Sequence, residues 1–393
     1  MEISRNLANI SPSATLAVAA LAREMAAEGR KVIDLSAGEP DFPTPAFIAE
    51  AGTAAIDEGR TRYTPVAGTS ALREAIAAEL SRGRAQQADA ARVVVSGGAK
   101  QALFNACFAL FGPGDRVLIP APYWTSYPEI VRLARAEPVA VRGSEARAFK
   151  ISPAELDEAF GDDVRGLLLN SPSNPTGAVY DRDELAALVE WADRRGVAII
   201  SDEIYNRICF THTRAPGLLD VDGGLGDQNV VIGGASKNYA MTGWRIGYSY
   251  AAPALTAAIS TLQSHTTSNA NTPAQYAATA AFSEPGDAAA RAMATTFRER
   301  RDLVLGLVQE RLPDTGFVRP DGAFYLFFRH DGFETPADTP GSVGFCRWLL
   351  DRTGVALVPG AAFGDDRYVR LSFATTPERL EAGITRLADA VKT

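Results

Sequence analysis

Up to Ala251 the chain alternates between short apolar runs and helical stretches, and this pattern restricts the fold more than any other feature. The runs are Arg92–Ser96, Arg116–Pro120, Gly166–Asn170, Val197–Ser201, Asn229–Gly233 and Ile246–Ala251. Each is short and most are rich in β-branched residues, as strands covered on both faces should be. Between them lie helical stretches such as Gln101–Leu110, Tyr127–Ala134 and Asp183–Arg195. The last carries Asp183 near its start and Arg194 and Arg195 at its end, which suits the helix dipole. Such alternation predicts an α/β fold around a mostly parallel sheet. Beyond it, a long helix is expected around Ala288–Leu312, then two β-rich pieces, Ala323–Arg329 and Tyr368–Phe373, flanked by helices. That part reads as a smaller α+β domain.

With 393 residues the chain can bury a large core without disulfides or metals. It is 46% hydrophobic and 22% charged, ordinary values for a globular protein, which excludes a disordered or fibrous chain. A net charge of -8 without a basic stripe argues against nucleic-acid binding. Cys107, Cys209 and Cys346 are far apart and read as buried thiols in a reducing compartment. His212, His265 and His330 lack ligand spacing, so no metal site is expected. Without an 18-residue apolar run or a signal-peptide core, the expected location is the cytoplasm.

Four segments carry chemistry, each after an expected strand, where α/β folds bind ligands. Ser96–Gln101 (SGGAKQ) feeds a helix start, whose free N–H groups suit an anion such as phosphate, although such turns also occur with no ligand. It is neither a P-loop nor a dinucleotide fingerprint. Asn170–Gly177 (NSPSNPTG) holds Asn174 between residues that stiffen the backbone; Asn-Pro also simply makes turns. In AIISDEIY, Asp202 ends an apolar strand, where a carboxylate serves a ligand or caps a helix. In GGASKNYAMTGWRIG, Lys237 follows four small residues that leave room for a ring. The chain has only five lysines, and one placed here can form a Schiff base with an aldehyde.

Together the four fit one ligand with an aldehyde for Lys237, a phosphate for Gly98, Ala99, Lys100 and Arg245, a phenolic oxygen for Asn174 and Tyr205, and a ring nitrogen for Asp202. That ligand is pyridoxal 5'-phosphate, whose protonated ring is an electron sink. These segments, with SAGEPDFPTP (36–45), YTPVAGTSALREAIA (63–77), PYWTSYPE (122–129), PDGAFY (320–325) and VRLSFATT (369–376), resemble the class I aminotransferases of pyridoxal-phosphate fold type I. Within that family the resemblance is to the bacterial aspartate and aspartate/prephenate subgroup, over nearly the whole chain.

The resemblance implies a large domain, residues 46–290, with a mixed, mainly parallel seven-stranded sheet, and a small domain from residues 1–45 and 291–393. It implies that Lys237 carries the cofactor and shuttles a proton, that Trp124 stacks on the ring, and that Ser236 lies near the phosphate. Tyr63 would reach the phosphate of a neighbouring subunit, making a homodimer. Arg370 would clamp the substrate α-carboxylate, helped by Gly38 and Asn174. Thr15 and Lys100 would recognise a distal carboxylate, which favours aspartate and glutamate as amino donors and an acceptor such as 2-oxoglutarate.

Two departures from relatives stand out: Ser11, where a basic residue is frequent, and Asn206–Phe210 (NRICF), where an acidic continuation is frequent. Prephenate, aromatic or broad-range specificity remains open, as does a non-transaminating enzyme of the same fold. A DNA-binding regulator would need an extension that has no residues here, and an NAD enzyme would need the missing GxGxxG.

Overall fold

The computed structural model describes residues 4–12, 14–84, 87–336 and 339–391. Its main sheet contains β1 (Val93–Ser96), β2 (Arg116–Ala121), β3 (Glu137–Arg142), β4 (Val164–Asn170), β5 (Ala198–Asp202), β6 (Val230–Gly234) and β7 (Gly247–Ala251). Their spatial order is β1-β7-β6-β5-β4-β2-β3. Pairing is parallel from β3 through β6, whereas β7 is antiparallel to both β6 and β1. The two reversals cancel, so β1 points the same way as β6. Six carboxyl ends and the amino end of β7 therefore meet at one edge.

Six of these strands coincide within two residues with the expected apolar runs. β3 was not among them, because its sequence lacks the signal of a strand buried on both faces. Only Val141 in it is fully buried, Pro138 interrupts it, and it sits at the sheet edge, where a missing N–H is tolerated. Alternate residues of β1, β4, β5 and β6 feed opposite cores. Val93, Val95, Leu167, Leu169, Ile199 and Val231 pack on one face, and Val94, Leu168, Ile200, Val230 and Ile232 on the other. Helices cover both faces, so each such side chain leaves water completely, worth about 1.5–3 kcal/mol apiece.

Local signals place the helices. The Arg182–Arg195 helix starts at Asp181, not Asp183: the Asp181 carboxylate accepts from the Glu184 N–H and the Glu184 side chain accepts from the Asp181 N–H. Gly196 ends it in a left-handed conformation. The long helix runs from Glu284 to Arg311, a turn earlier than expected, because the Ser283 hydroxyl caps it by accepting from the Gly286 N–H.

The remaining sheet is antiparallel and contains β8 (Phe317–Val318), β9 (Tyr325–Arg329), β10 (Val358–Pro359) and β11 (Tyr368–Ser372), in the order β10-β11-β9-β8. Arg370 sits in the interior strand β11, opposite Phe327 on one side and Val358 on the other. A short parallel pairing of Ile33–Asp34 with Val355–Ala356 joins the N-terminal segment to this part. Ile33 and Leu35 share its apolar cluster with Phe324, Val355, Leu380 and Ile384. All three cysteines are free and buried.

Gly247 governs the meeting point of the strands. It pairs with Ser96 of β1 and with Gly234 of β6. A Cβ on Gly247 would lie 2.1 Å from the backbone nitrogen of Ala99. Backbone cannot rotate away as a side chain can, so Gly247→Ala must part the sheet from the Ala99–Leu110 helix. Overpacking of this kind should destabilise the protein by about 3 kcal/mol. Equilibrium urea unfolding measures it, and a loss below about 1 kcal/mol would contradict the close approach.

Candidate active site

The shared sheet edge delivers the chemistry-bearing residues to one place. Register sets Asn170 beside Asp202, at the ends of β4 and β5, and Asp202 beside Ile232 of β6. Lys237 follows β6 in the one-turn helix Ala235–Asn238, and Arg245 precedes β7 by two residues. From the second sheet comes Arg370, and from the N-terminal segment Gly38. These groups line a cavity of about 470 Å³, together with Ala99, Lys100, Trp124, Asn174, Tyr205 and Ser236.

At its floor the Lys237 amine donates to the Gly38 carbonyl at 2.5 Å. Burial lowers its pKa to about 8; Glu39 opposes this, and Arg245, Arg370 and Lys100 add to it. Asp202 is the reverse case. Burial raises its pKa to about 6, against the hydrogen bonds from Tyr127 and from the Ile204 N–H and the charge of Lys237. The Tyr127 hydroxyl donates to Asp202 Oδ2 at 2.8 Å. No helix follows Asp202; the chain turns instead, and the Ile204 N–H reaches Oδ1 at 3.2 Å. No cation among the described residues forms an ion pair with this buried carboxylate.

Arg370 is 2% exposed. Its Nη1 donates to Asn174 Oδ1 at 3.0 Å and its Nη2 to the Ser36 carbonyl at 2.8 Å, while its Nε is buried without a hydrogen-bond partner. The guanidinium lies 4.2 Å from the Tyr325 ring centroid. The Tyr325 hydroxyl is in turn 3.0 Å from that of Tyr205. Burial holds both phenols above their ordinary pKa, so they remain protonated donors.

On the opposite wall Gly98, at φ +95, precedes the Ala99–Leu110 helix. The N–H groups of Ala99 and Lys100 thus belong to a helix start, where intrahelical acceptors are lacking. A Cβ on Gly98 would lie 2.3 Å from Arg245 Nη2, so the glycine is what lets the guanidinium in. Arg245 Nη1 is fixed by the Thr242 carbonyl at 2.9 Å. Lys100 Nζ stands 4.8 Å from the Trp124 ring centroid, and burial, then Arg245, lowers its pKa.

Among the expected residues, Gly98 and Tyr63 do not line this cavity. Tyr63 is 90% exposed on the surface. Thr15 falls in the Ala14–Ala27 helix, and its side chain lies outside the described residues. Conversely, Tyr127, Tyr325, Glu39, Arg23 and Thr242 line the cavity without having been singled out. Tyr127 and Tyr325 lie inside the segments PYWTSYPE and PDGAFY, and Glu39 inside SAGEPDFPTP. Arg23 had no local signal.

Comparison with known proteins decides the family. The model of aminotransferase class I and II matches residues 30–387. The chain belongs to this aminotransferase family. It is 42% identical to an aspartate aminotransferase of Geobacillus stearothermophilus, over 98% of each chain. It is 43% identical to an aspartate/prephenate aminotransferase of Cereibacter sphaeroides, over 98% of this chain and 97% of that one. Among solved structures, a Thermus thermophilus aspartate aminotransferase with maleate superposes with a TM-score of 0.92 at 36% identity, covering 99% of each chain. The fold is therefore fold type I of the pyridoxal-phosphate enzymes, and the aminotransferase depends on that cofactor.

The residues present fit the cofactor. Asp202 is a buried carboxylate awaiting a positive partner, as a protonated pyridine nitrogen would be. The glycine-lined helix start beside Arg245 suits a phosphate. Lys237 is an amine that burial keeps substantially neutral near pH 8. Among the described residues, no helix is long and apolar enough to cross a membrane.

In the cofactor-free chain the Asp202 carboxylate is a liability. Its folded pKa exceeds the ordinary 3.8, so its contribution to stability is intact below that value and is lost as pH rises through about 6. The full loss is roughly 2–3 kcal/mol. Asp202→Asn should therefore stabilise the cofactor-free protein more at pH 8 than at pH 5. Urea unfolding at both values checks this, and a gain that shrinks with rising pH contradicts it.

Proposed function

We propose that this aminotransferase moves the amino group of L-aspartate or L-glutamate to a 2-oxo acid such as 2-oxoglutarate, in two half-reactions of ping-pong form. The observation that carries this reading is Arg370, a buried guanidinium with an unpartnered Nε on the cavity that also holds the Lys237 amine. A fork of this kind suits the α-carboxylate common to amino and oxo acids. Lys100 and Arg23 place two further positive charges on the cavity wall, as a second carboxylate requires. The aspartate and aspartate/prephenate aminotransferases among its relatives support the same substrate class. The second of these names also supports prephenate as an acceptor to be tested.

Pyridoxal phosphate, when bound, supplies a ring that accepts electron density from the substrate α-carbon. The chain's own residues do the rest. Asp202, oriented by the Tyr127 hydroxyl, would hold a proton at the ring nitrogen. Trp124 would cover the ring, and Asn174 and Tyr205 would donate to its phenolic oxygen. Gly98, Ala99, Lys100, Ser236 and Arg245 would hold the phosphate. Lys237 Nζ would take the proton from the substrate α-carbon and hold it for its return. A pKa of about 8 suits that exchange near neutral pH, and such a base contributes about 10²–10⁴-fold.

Residues 46–290 and the body formed by 1–45 with 291–393 would close on each other over the substrate and exclude water. Gly38 and Arg370 on one side and Lys237 on the other support that division, since their side chains and carbonyls face one cavity. The exposed Tyr63 supports a homodimer in which it serves the neighbouring site.

Oxaloacetate formation from L-aspartate and 2-oxoglutarate tests the proposal. Arg370→Lys should lower kcat/KM for aspartate by roughly 10²-fold, because one point charge replaces a fork at a buried site. Turnover of aromatic or neutral amino acids with none of aspartate or glutamate would sink the dicarboxylate reading.

A further inference from the structure

Two asparagines lie directly beside the residues that do the chemistry. Asn206 follows Tyr205 and is 7% exposed; Asn238 follows Lys237 and is 5% exposed. The Asn238 Nδ2 group donates to Asn206 Oδ1 at 2.8 Å. The other end of the same carboxamide, Asn238 Oδ1, accepts from the Arg207 N–H at 3.3 Å. Both ends of one side chain thus bind the segment that carries Tyr205. The two segments leave adjacent parallel strands, β5 and β6, and the ladder between those strands ends at Asp202 and Ile232. Beyond that register the amide pair ties them together.

The far side of the pair is anchored as well. The Asn206 carbonyl accepts from the Ala215 N–H at 2.8 Å. The Arg207 side chain is 5% exposed and sits between Glu79, of the Ser70–Ser81 helix, and Asp287, in the first turn of the Glu284–Arg311 helix. A continuous path of hydrogen bonds and ion pairs therefore runs from two helices to the turn that bears Lys237. The NRICF segment departs from the acidic continuation of its relatives here, yet an amide or a carboxylate at position 206 presents the same acceptor oxygen.

We propose that the Asn206–Asn238 amide pair positions Lys237 relative to Tyr205, so that the amine reaches the α-carbon of a substrate held by Arg370. Neither asparagine touches the substrate. The inference rests on the reading of Lys237 as the residue that moves the proton. A misplacement of about 1 Å costs up to 10²-fold in rate, so the pair acts on kcat rather than on substrate capture.

The test uses the holoenzyme. Asn206→Leu keeps the branched shape and removes the acceptor, whereas Asn206→Asp keeps the acceptor. We expect N206L to lower kcat by about 10–100-fold and to weaken pyridoxal phosphate binding, read by absorbance titration. KM for aspartate should stay within about threefold, because Arg370 is untouched. N206D should restore kcat to within about threefold of the parent. Asn238→Ala removes that bond from the other side, together with the one from the Arg207 N–H, and serves if leucine at 206 prevents folding. The double variant N206L/N238A should lose no more than the worse single variant.

The proposal is overturned if N206L and N238A turn over like the parent, if N206D is as impaired as N206L, or if the two single losses multiply. A rise in KM with kcat unchanged also overturns it. Lys237→Ala is run alongside: if it keeps the parent's activity, the reading of Lys237 itself has failed, and the positioning role falls with it.

Discussion

The antiparallel placement of β7 between β1 and β6 is the constraint on which the site depends. A parallel β7 would carry Arg245 to the opposite edge of the sheet and leave the helix after β1 without its guanidinium partner. As built, Gly247 lies beside both Ser96 and Gly234, so the helix start after β1 and a lysine-bearing turn are fixed within one register. The absence of side chains at Gly98 and Gly247 makes the contact possible. The cavity chemistry then follows from desolvation. The same burial that pushes Asp202 up depresses Lys237, and each shift prepares the group for a partner of the opposite character.

The second sheet contributes through one interior strand. Arg370 is held by pairing with Phe327 and Val358, by the Ser36 carbonyl and by Asn174, which belongs to the loop after β4. The surroundings of Arg370 are thus built from three distant stretches of chain, whereas Asp202, Lys237 and Arg245 come from neighbouring strand ends of one sheet.

The sequence made the inner strands legible because they are apolar on both faces and short. It also showed Lys237, Asp202 and Asn174, since each ends or follows such a strand where a polar group is conspicuous. β3 was hidden by its half-exposed edge position. Arg23 and Thr242 were hidden for another reason: they enter the cavity only through tertiary placement of a helix and a turn. Tyr127 and Tyr325 act through hydroxyl contacts with Asp202 and Tyr205, which no local spacing announces. The resemblance to aminotransferases supplied the order of the segments, and the structure supplied the hydrogen bonds that join them.

The close approach of Gly247 to Ala99 also divides the molecule into parts that can and cannot be redesigned. Any volume added at that junction moves the sheet edge and the phosphate wall together, so variation there is penalised in the backbone itself. The wall containing Ala19 and Arg23 belongs to the Ala14–Ala27 helix, which packs through Val18, Ala22 and Met25 on Leu350 and Ala356. Changes at Ala19 or Arg23 can therefore reshape the cavity while the sheet edge stays as it is. Arg23 on that helix and the Gly247–Ala99 junction are held by separate packing in this chain.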